Sequence, residues 1–351
     1  MLRELFKDYF KIGNILSPKD LADSALMSEF TKHYNAFTAE NNMKPMYIGV
    51  SEDEFDFKWA DMLVEWAEKA GVTAIGHTLV WHGQSAPWLN MGADGAPLPR
   101  AKAMANMEKF IKGYVSRYSG RIYSWDVVNE AFKDDREYTG DWRDGLRKLE
   151  TNPKATAPWY LAFENGADKA KGESGADYIF YAFYFARKYD SKAVLYYNDY
   201  NEEVPVKRAQ IADMVESVNE LWKSHADYDG RLLIEGIGMQ GHCNHNTNLA
   251  DVKESVDRFA RTGARISITE LDVTFGAHDN PAVPLTAEQA EQQAAMYVEL
   301  FKIYLDYSKY IERVTFWGMN DERSWRAWGS PTLFDGAFAE KVAYREIAGL
   351  M

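Results

Sequence analysis

The chain has 351 residues, of which 46% are hydrophobic and 26% charged, and its formal net charge is −13. This composition excludes disordered and fibrous proteins and supplies enough apolar residues for one large core. The acidic balance also argues against nucleic acid as a partner, because phosphate backbones bind clustered lysines and arginines.

The first nineteen residues alternate in charge and contain no long apolar run, so this sequence shows neither a signal peptide nor a membrane-spanning segment. We therefore predict no membrane partner. The lone Cys243 excludes an intramolecular disulfide and leaves the cellular compartment open.

Short apolar segments recur along the chain, and helical patterns separate them. Eight strands are predicted, at residues 10–15, 36–40, 73–80, 122–129, 193–198, 232–240, 266–270 and 314–317. Strands that alternate with helices in this number favour a single-domain (β/α)8 TIM barrel over residues 1–351. An open, doubly wound parallel sheet is the alternative.

The intervening helices carry recognisable end signals. Residues 57–70 place apolar side chains on one face and stop at Gly71, which tolerates a left-handed cap. Another helix is predicted to begin at Thr286, which can form a capping box with Gln289. Between the fourth strand and a helix at 177–189, residues 133–175 form an insertion rich in Gly, Asp, Lys and Trp.

Two glutamates lie at the C-terminal ends of predicted strands of the barrel. The fourth strand ends in Trp-Asp-Val-Val-Asn-Glu at 125–130, and the seventh ends in Ile-Thr-Glu-Leu-Asp at 268–272. In such barrels the active site lies at the C-terminal ends of the strands, so Glu130 and Glu270 are expected on one rim. Glycoside hydrolysis needs such a pair, one carboxyl to protonate the leaving oxygen and one ionised carboxylate to attack. The alternative is that one or both make structural ion pairs.

These two motifs match those of glycoside hydrolase family 10, the (β/α)8 endo-β-1,4-xylanases, which the sequence resembles over nearly its whole length. The resemblance implies that Glu130 is the acid/base and Glu270 the nucleophile of a hydrolase that cleaves internal bonds of xylan with retention of configuration. It implies no cofactor.

Further motifs of the same family follow the other strands in order, and they imply a set of sugar-binding residues. These are Glu40, Asn41, Lys44, His77, Trp81, Gln84, Asn129, Tyr200, Gln240, His242, Trp317 and Trp325. The resemblance puts Tyr200 on the leaving-group side and the two tryptophans over the opposite, glycone sugar. A lone tryptophan is more often a core residue, but these two follow the eighth strand.

Two of these assignments also have a physical argument. Asn129 directly precedes the predicted acid, and its amide could donate to a sugar 2-hydroxyl. His242 and Asp272 could form a hydrogen-bonded chain that holds Glu270 ionised and oriented. Asp272 by itself would more often be a surface or structural acid.

Three rival functions remain open. A metal-dependent hydrolase is suggested by His77 with His82, and by His242 and His245 around the cysteine, although neither pair has the His-Glu-x-x-His spacing. We predict no metal, and a chelator would discriminate. A β-glucanase of similar barrel would act on glucan, and a non-catalytic carbohydrate-binding barrel would bind sugar without cleaving it.

The chain departs from the family pattern beside its binding loops. Pro45 stands where many members have Trp, and Met319-Asn320 stands where many have Val-Thr. The insertion resembles one found in secreted, multimodular members, so we expect an exported module of a larger enzyme; a cytoplasmic enzyme is the alternative. The insertion carries Tyr138, Trp142, Trp159 and Tyr160, and rim loops shape binding in barrels, so we predict that it walls the leaving-group side of the cleft. The alternative is a solvated excursion that packs only on itself.

Overall fold

The computed structural model describes residues 1–134, 137–276 and 284–351. Eight parallel strands in this part of the chain form a barrel: β1 (Lys11–Leu16), β2 (Ala36–Ala39), β3 (Thr73–Trp81), β4 (Ser124–Asn129), β5 (Val194–Asp199), β6 (Gly236–Met239), β7 (Arg265–Thr274) and β8 (Ile311–Phe316). Strand β8 pairs with both β7 and β1, which closes the barrel. The predicted TIM barrel is confirmed, and the open sheet is wrong because no edge is left between β1 and β8 in these residues.

One main helix follows each strand and packs outside the barrel. In chain order these are α1 (Ser24–His33), α2 (Lys58–Ala70), α3 (Arg100–Arg117), α4 (Asp177–Tyr189), α5 (Pro205–Lys223), α6 (Leu249–Arg261), α7 (Ala287–Asp306) and α8 (Val342–Ala348). Gly71 ends α2 with φ of 66°, and Thr286 and Gln289 form the capping box of α7. None of the described helices is both long and apolar enough to cross a membrane.

Shorter elements decorate the repeat. They are the helices Leu2–Leu5, Pro45–Ile48 and Pro158–Glu164, the strands Gly49–Ser51, Glu54–Phe55 and His242–Asn244, and the 3-10 turns Asp20–Ala22, Pro87–Leu89, Trp142–Gly145, Pro153–Ala155, Lys169–Lys171, Asp321–Arg323 and Ala327–Gly329. The strand His242–Asn244 matters for the site because it pairs with the end of β7, placing His242 opposite Asp272.

All eight predicted strands are observed, with limits that differ by one to four residues; β8, for example, begins at Ile311 instead of residue 314. Two of the differences have identifiable reasons. Strand β6 begins at Gly236 instead of residue 232, because the Asn219 side chain accepts hydrogen bonds from the backbone N–H groups of Leu233 and Ile234 (2.9 and 2.8 Å). Strand β7 continues four residues beyond Glu270, because its last residues find a partner in His242–Asn244.

Glycines inside the barrel make room for large or polar neighbours. A side chain at Gly236 would lie 2.3 Å from the ring of Tyr196, which fills the lower barrel. A side chain at Gly238 would lie 2.3 Å from Oδ1 of Asn198. Gly238 therefore lets the Asn198 amide cross the top of the barrel, where the two predicted catalytic glutamates are found.

Candidate active site

A cleft of about 670 Å³ opens at the C-terminal ends of the barrel strands. Fourteen of the predicted site residues line it: Glu40, Asn41, Lys44, His77, Trp81, Gln84, Asn129, Glu130, Tyr200, Gln240, His242, Glu270, Trp317 and Trp325. Asn201 and Arg326 also line the cleft but were not predicted. Asp272 lies behind the cleft and is fully buried.

Glu130 follows β4 and is half-buried. Its Oε2 accepts a hydrogen bond from the Trp81 indole (2.9 Å), and its Oε1 accepts from the amides of Asn129 (3.1 Å) and Gln240 (3.0 Å). Its φ of 54° lies in the left-handed region, which a residue with a side chain adopts at a cost of about 1–3 kcal/mol. Such backbone strain is typical of functional positions.

Glu270 lies in β7 and is 6% exposed. Its Oε1 accepts from the Asn198 amide (3.0 Å), and its Oε2 lies 3.2 Å from Nε2 of His242. Burial alone would raise the pKa of Glu270, but the hydrogen bond from His242 and the nearby positive charges outweigh it and lower this pKa below its ordinary value. Glu270 is therefore held in the ionised form that a nucleophile needs.

His242 is the central member of a charged chain behind Glu270. Its Nδ1 lies 2.9 Å from Oδ2 of Asp272, whose Oδ1 accepts from Arg326 (2.5 Å). Burial alone would lower the pKa of His242, but the negative charges of Asp272 and Glu270 raise it to about 10. The imidazolium thus donates to both carboxylates at neutral pH, as the sequence argument expected.

A row of side-chain amides connects the two glutamates. Asn198 donates to Glu270 and, at 2.9 Å, to Oδ1 of Asn129, which in turn donates to Glu130. Gln240 reaches both Glu130 (3.0 Å) and Asn129 (3.4 Å). The carboxyl groups consequently have fixed positions relative to each other, and both face the same cleft.

One end of the cleft carries a cluster of polar side chains around Lys44. Its ammonium group donates to Asn41 (3.0 Å) and Gln84 (2.9 Å) and lies 5.2 Å from the ring centroid of Trp81. Burial lowers the pKa of Lys44, and burial raises the pKa of the neighbouring Glu40. Such groups, partly removed from water and rich in donors and acceptors, suit the hydroxyls of a sugar.

Two tryptophan side chains and a buried hydrogen bond between His77 and Asp126 complete that end. Trp317 is 5% exposed and packs edge-on against His77 (5.7 Å), whose Nδ1 lies 2.9 Å from Asp126. Trp325 is 54% exposed and packs edge-on against His242 (5.3 Å). The structure thus makes Trp317 part of the cleft floor and leaves Trp325 with a free ring surface, which suits stacking on a sugar.

The other end of the cleft is built around Tyr200. Its hydroxyl accepts from Arg147 (2.6 Å) and donates to Asp134 (2.7 Å). Lys207 lies 3.8 Å from the ring centroid and forms ion pairs with Asp134 (2.8 Å) and Asp199 (2.9 Å). These charged groups fix the Tyr200 ring at the cleft wall.

The four aromatic residues of the insertion do not line the cleft, so they are not what would wall its leaving-group side; that the insertion itself does so stays a prediction. Trp142 and Trp159 are 6% and 1% exposed and belong to the core. Tyr138 and Tyr160 are half-buried, and none of the four lines the cleft. The sequence of a loop does not show whether a large aromatic side chain points to the cleft or to the core. Here burial against the outside of the barrel is the outcome for the two tryptophans.

The histidines considered as zinc ligands do not converge on one point. His77 bonds to Asp126, and His242 bridges two carboxylates. His245 stacks on Phe275 at 4.2 Å, and burial lowers the pKa of His82 to about 4. Among residues 1–134, 137–276 and 284–351, no group of three or more His, Cys, Asp or Glu side chains could hold a metal ion.

Sequence reasoning missed three residues that organise the site. Asn198 had a signal, since it lies in the Tyr-Tyr-Asn-Asp-Tyr-Asn segment at the end of β5. Arg326 directly follows Trp325, but its pairing with Asp272 joins residues 54 positions apart. Arg147 lies within the insertion and carried no motif, so the sequence offered no signal for it.

A closed β/α barrel with two glutamates facing one cleft, one of them held ionised, defines a hydrolase of the glycosidase class. The family model for glycosyl hydrolase family 10 matches residues 1–350. The chain belongs to this family, and the prediction of a glycoside hydrolase is confirmed.

Named relatives agree with this membership. Endo-1,4-beta-xylanase A of Thermotoga maritima is 35% identical over 98% of this chain, which spans 30% of that relative's length. Endo-1,4-beta-xylanase B of Paenibacillus barcinonensis is 33% identical, and the match covers 98% of this chain and 96% of the relative. A solved psychrophilic glycoside hydrolase family 10 endo-beta-1,4-xylanase superposes with a TM-score of 0.85 at 31% identity, covering 99% of both chains.

Proposed function

We propose that the chain is an endo-β-1,4-xylanase that retains anomeric configuration, with Glu130 as acid/base and Glu270 as nucleophile. The observation that carries the division of roles is the difference in donors. Glu270 receives a charged donor, the His242 imidazolium, whereas the donors to Glu130 that the structure describes are the neutral indole and amides. A charged donor favours the ionised carboxylate more strongly than neutral donors do.

The reaction then has two steps with a covalent intermediate. Ionised Glu270 attacks the anomeric carbon while the bond to the leaving sugar breaks, and Glu130 gives its proton to the departing oxygen. In the second step Glu130, now a carboxylate, takes a proton from water, and the water oxygen displaces Glu270 from the anomeric carbon. Two inversions give net retention, and both carboxyl groups return to their starting states.

The cleft supports the proposed positions of the sugar. Asn129, whose side-chain carbonyl accepts from Asn198, would donate to a 2-hydroxyl beside Glu270, an interaction that strengthens as positive charge develops at the neighbouring carbon. The Lys44 cluster and Trp325 would bind the sugar whose anomeric carbon is attacked, and Tyr200 would bind the leaving sugar. The relatives named as xylanases support xylan as the polymer.

The substrate is tested by product analysis on xylan beside carboxymethylcellulose. We expect xylo-oligosaccharides of several lengths from xylan and little release of reducing ends from the cellulose derivative. The Glu270→Gln variant, measured in parallel, controls for contaminating hydrolases. Equal action on both polymers would favour a β-glucanase, and binding without cleavage would favour a carbohydrate-binding barrel.

Replacing His242 by glutamine tests how the nucleophile is kept ionised. The substitution removes a positive charge whose effect is to lower the pKa of Glu270. The acidic limb of the kcat/KM profile reports ionisation of the free enzyme, so it should move to higher pH, by about one to three units. The control is His245→Gln, because His245 stacks on Phe275 away from both glutamates. An unchanged acidic limb in His242→Gln would contradict the role of the imidazolium.

A further inference from the structure

Arg147 connects the insertion to both catalytic and binding parts of the cleft. It is 6% exposed. Its Nε donates to the backbone carbonyl of Glu130 (3.0 Å), and its Nη2 donates to the hydroxyl of Tyr200 (2.6 Å). A single planar guanidinium therefore fixes the distance between the backbone of the predicted acid/base and the wall of the predicted leaving-group site.

The backbone around Arg147 is itself anchored to the barrel. Its N–H donates to the carbonyl of Ala131 (2.9 Å), and the N–H of Lys133 donates to the carbonyl of Gly145 (3.0 Å). Phe132 and Leu146 form an antiparallel bridge between these bonds. The part of the insertion that carries Arg147 is thus paired directly with the residues that follow Glu130.

Glu130 needs external support because of its backbone conformation. At φ of 54° its peptide groups are held by contacts on both sides: its N–H donates to the carbonyl of Asn198 (2.8 Å), and its carbonyl accepts from Arg147. A strained conformation persists only where surrounding contacts define it. Loss of the Arg147 contact would free one of the two peptide groups.

Arg147 keeps its positive charge because polar and negatively charged groups surround it. Burial would lower its pKa, but Tyr200, Asp199 and Glu130 raise it, so the guanidinium stays protonated throughout the working pH range. Its partner Tyr200 is fixed from the other side by Asp134, which pairs with the buried Lys207. The leaving-group wall and the acid/base backbone are therefore parts of one hydrogen-bonded unit.

We propose that Arg147 is a positioning residue that aligns the carboxyl of Glu130 with the leaving oxygen, so that the insertion acts on proton transfer to the leaving group. The proposal rests on the proposed role of Glu130 as acid. A misplacement of about 1 Å at a reacting group can cost about 10² in rate. The rate should fall for substrates whose leaving group needs a proton, and it should change little for good leaving groups, which depart without one.

The test is the dependence of rate on leaving-group acidity for Arg147→Met. Aryl β-xylobiosides that range from dinitrophenyl to unsubstituted phenyl, together with xylohexaose, provide the series. We expect kcat/KM to fall by about 10- to 100-fold on xylohexaose and on the phenyl glycoside, and by less than about threefold on the dinitrophenyl glycoside. Arg147→Lys, which keeps the charge but cannot span both partners, should fall between.

The matched control is Arg143→Met. Arg143 lies in the same insertion but is exposed, with its guanidinium 4.6 Å from the ring centroid of Trp142. The kcat/KM values of this variant should therefore equal those of the wild type for every leaving group. A uniform loss across the series in Arg147→Met would overturn the proposal, as would no loss. If that variant does not fold, Tyr200→Phe, which removes the hydroxyl contact alone, must show the same selective loss. Glu130→Ala is measured on the same series. If the loss of kcat/KM in Glu130→Ala did not vary with the leaving group, that result would count against the proposed role of Glu130 as acid, and not only against the role of Arg147.

Discussion

Replacing Glu270 by alanine is expected to lower kcat on xylan by about 10⁴-fold or more, which is the scale of loss seen when an enzyme nucleophile is removed. Activated aryl xylobiosides should be lost as well, because the first covalent step requires the carboxylate whatever the leaving group. Initial rates on xylan and on a dinitrophenyl xylobioside provide the measurement.

The control for Glu270→Ala is Glu322→Ala, since Glu322 is exposed on the same rim and lies outside the main cleft. That variant should keep wild-type rates. Residual activity of Glu270→Ala above about one per cent on the aryl substrate, with the thermal unfolding temperature unchanged, would contradict the assignment of the nucleophile.

Replacing Glu130 by alanine should have a different pattern. General acid catalysis typically contributes about 10²–10⁴ in rate, so activity on xylan should fall by that factor. The dinitrophenyl glycoside should still form the covalent intermediate, whose hydrolysis then becomes slow for want of a base. A burst of released phenolate followed by a slow phase is the expected time course. Alanine keeps a non-glycine backbone at φ of 54°, so the change is confined to the side chain.

An equal loss on xylan and on the aryl substrate, without a burst, would contradict this role. Glu130→Gln is the matched variant because its amide preserves the shape of the side chain. It should show the same time course as Glu130→Ala if what the glutamate supplies is acid/base chemistry and not the acceptor for the hydrogen bond from Trp81.

The barrel could be predicted because its signals are local. Apolar strand segments, the Gly71 cap and the Thr286–Gln289 capping box all lie within a few residues of the element they define. Element limits that depend on distant partners could not be predicted. The start of β6 is set by Asn219 from α5, and the end of β7 is set by a strand that begins at His242.

The site shows the same difference between local signals, which the sequence reveals, and long-range contacts, which it does not. Residues at strand ends could be identified from their motifs, because the C-terminal rim of a parallel barrel brings all strand ends together. Arg147 and Arg326 could not, since each acts through a contact made 17 or more positions away in sequence. The position of the insertion's aromatic side chains could not be predicted for a related reason. The sequence alone does not tell whether Trp159 faces the cleft or the core, and Trp159 is 1% exposed and lies in the core.

The most direct test of the paired roles is the anomeric configuration of the azide adduct formed by each alanine variant with an activated aryl xylobioside. Azide should attack the stalled intermediate of Glu130→Ala from the face opposite Glu270 and give the β-glycosyl azide. In Glu270→Ala it should enter from the vacated side and give the α-glycosyl azide. Product NMR distinguishes the two anomers. We expect the β anomer from Glu130→Ala and the α anomer from Glu270→Ala; swapped configurations, or no azide product from either variant, would contradict the two assigned roles.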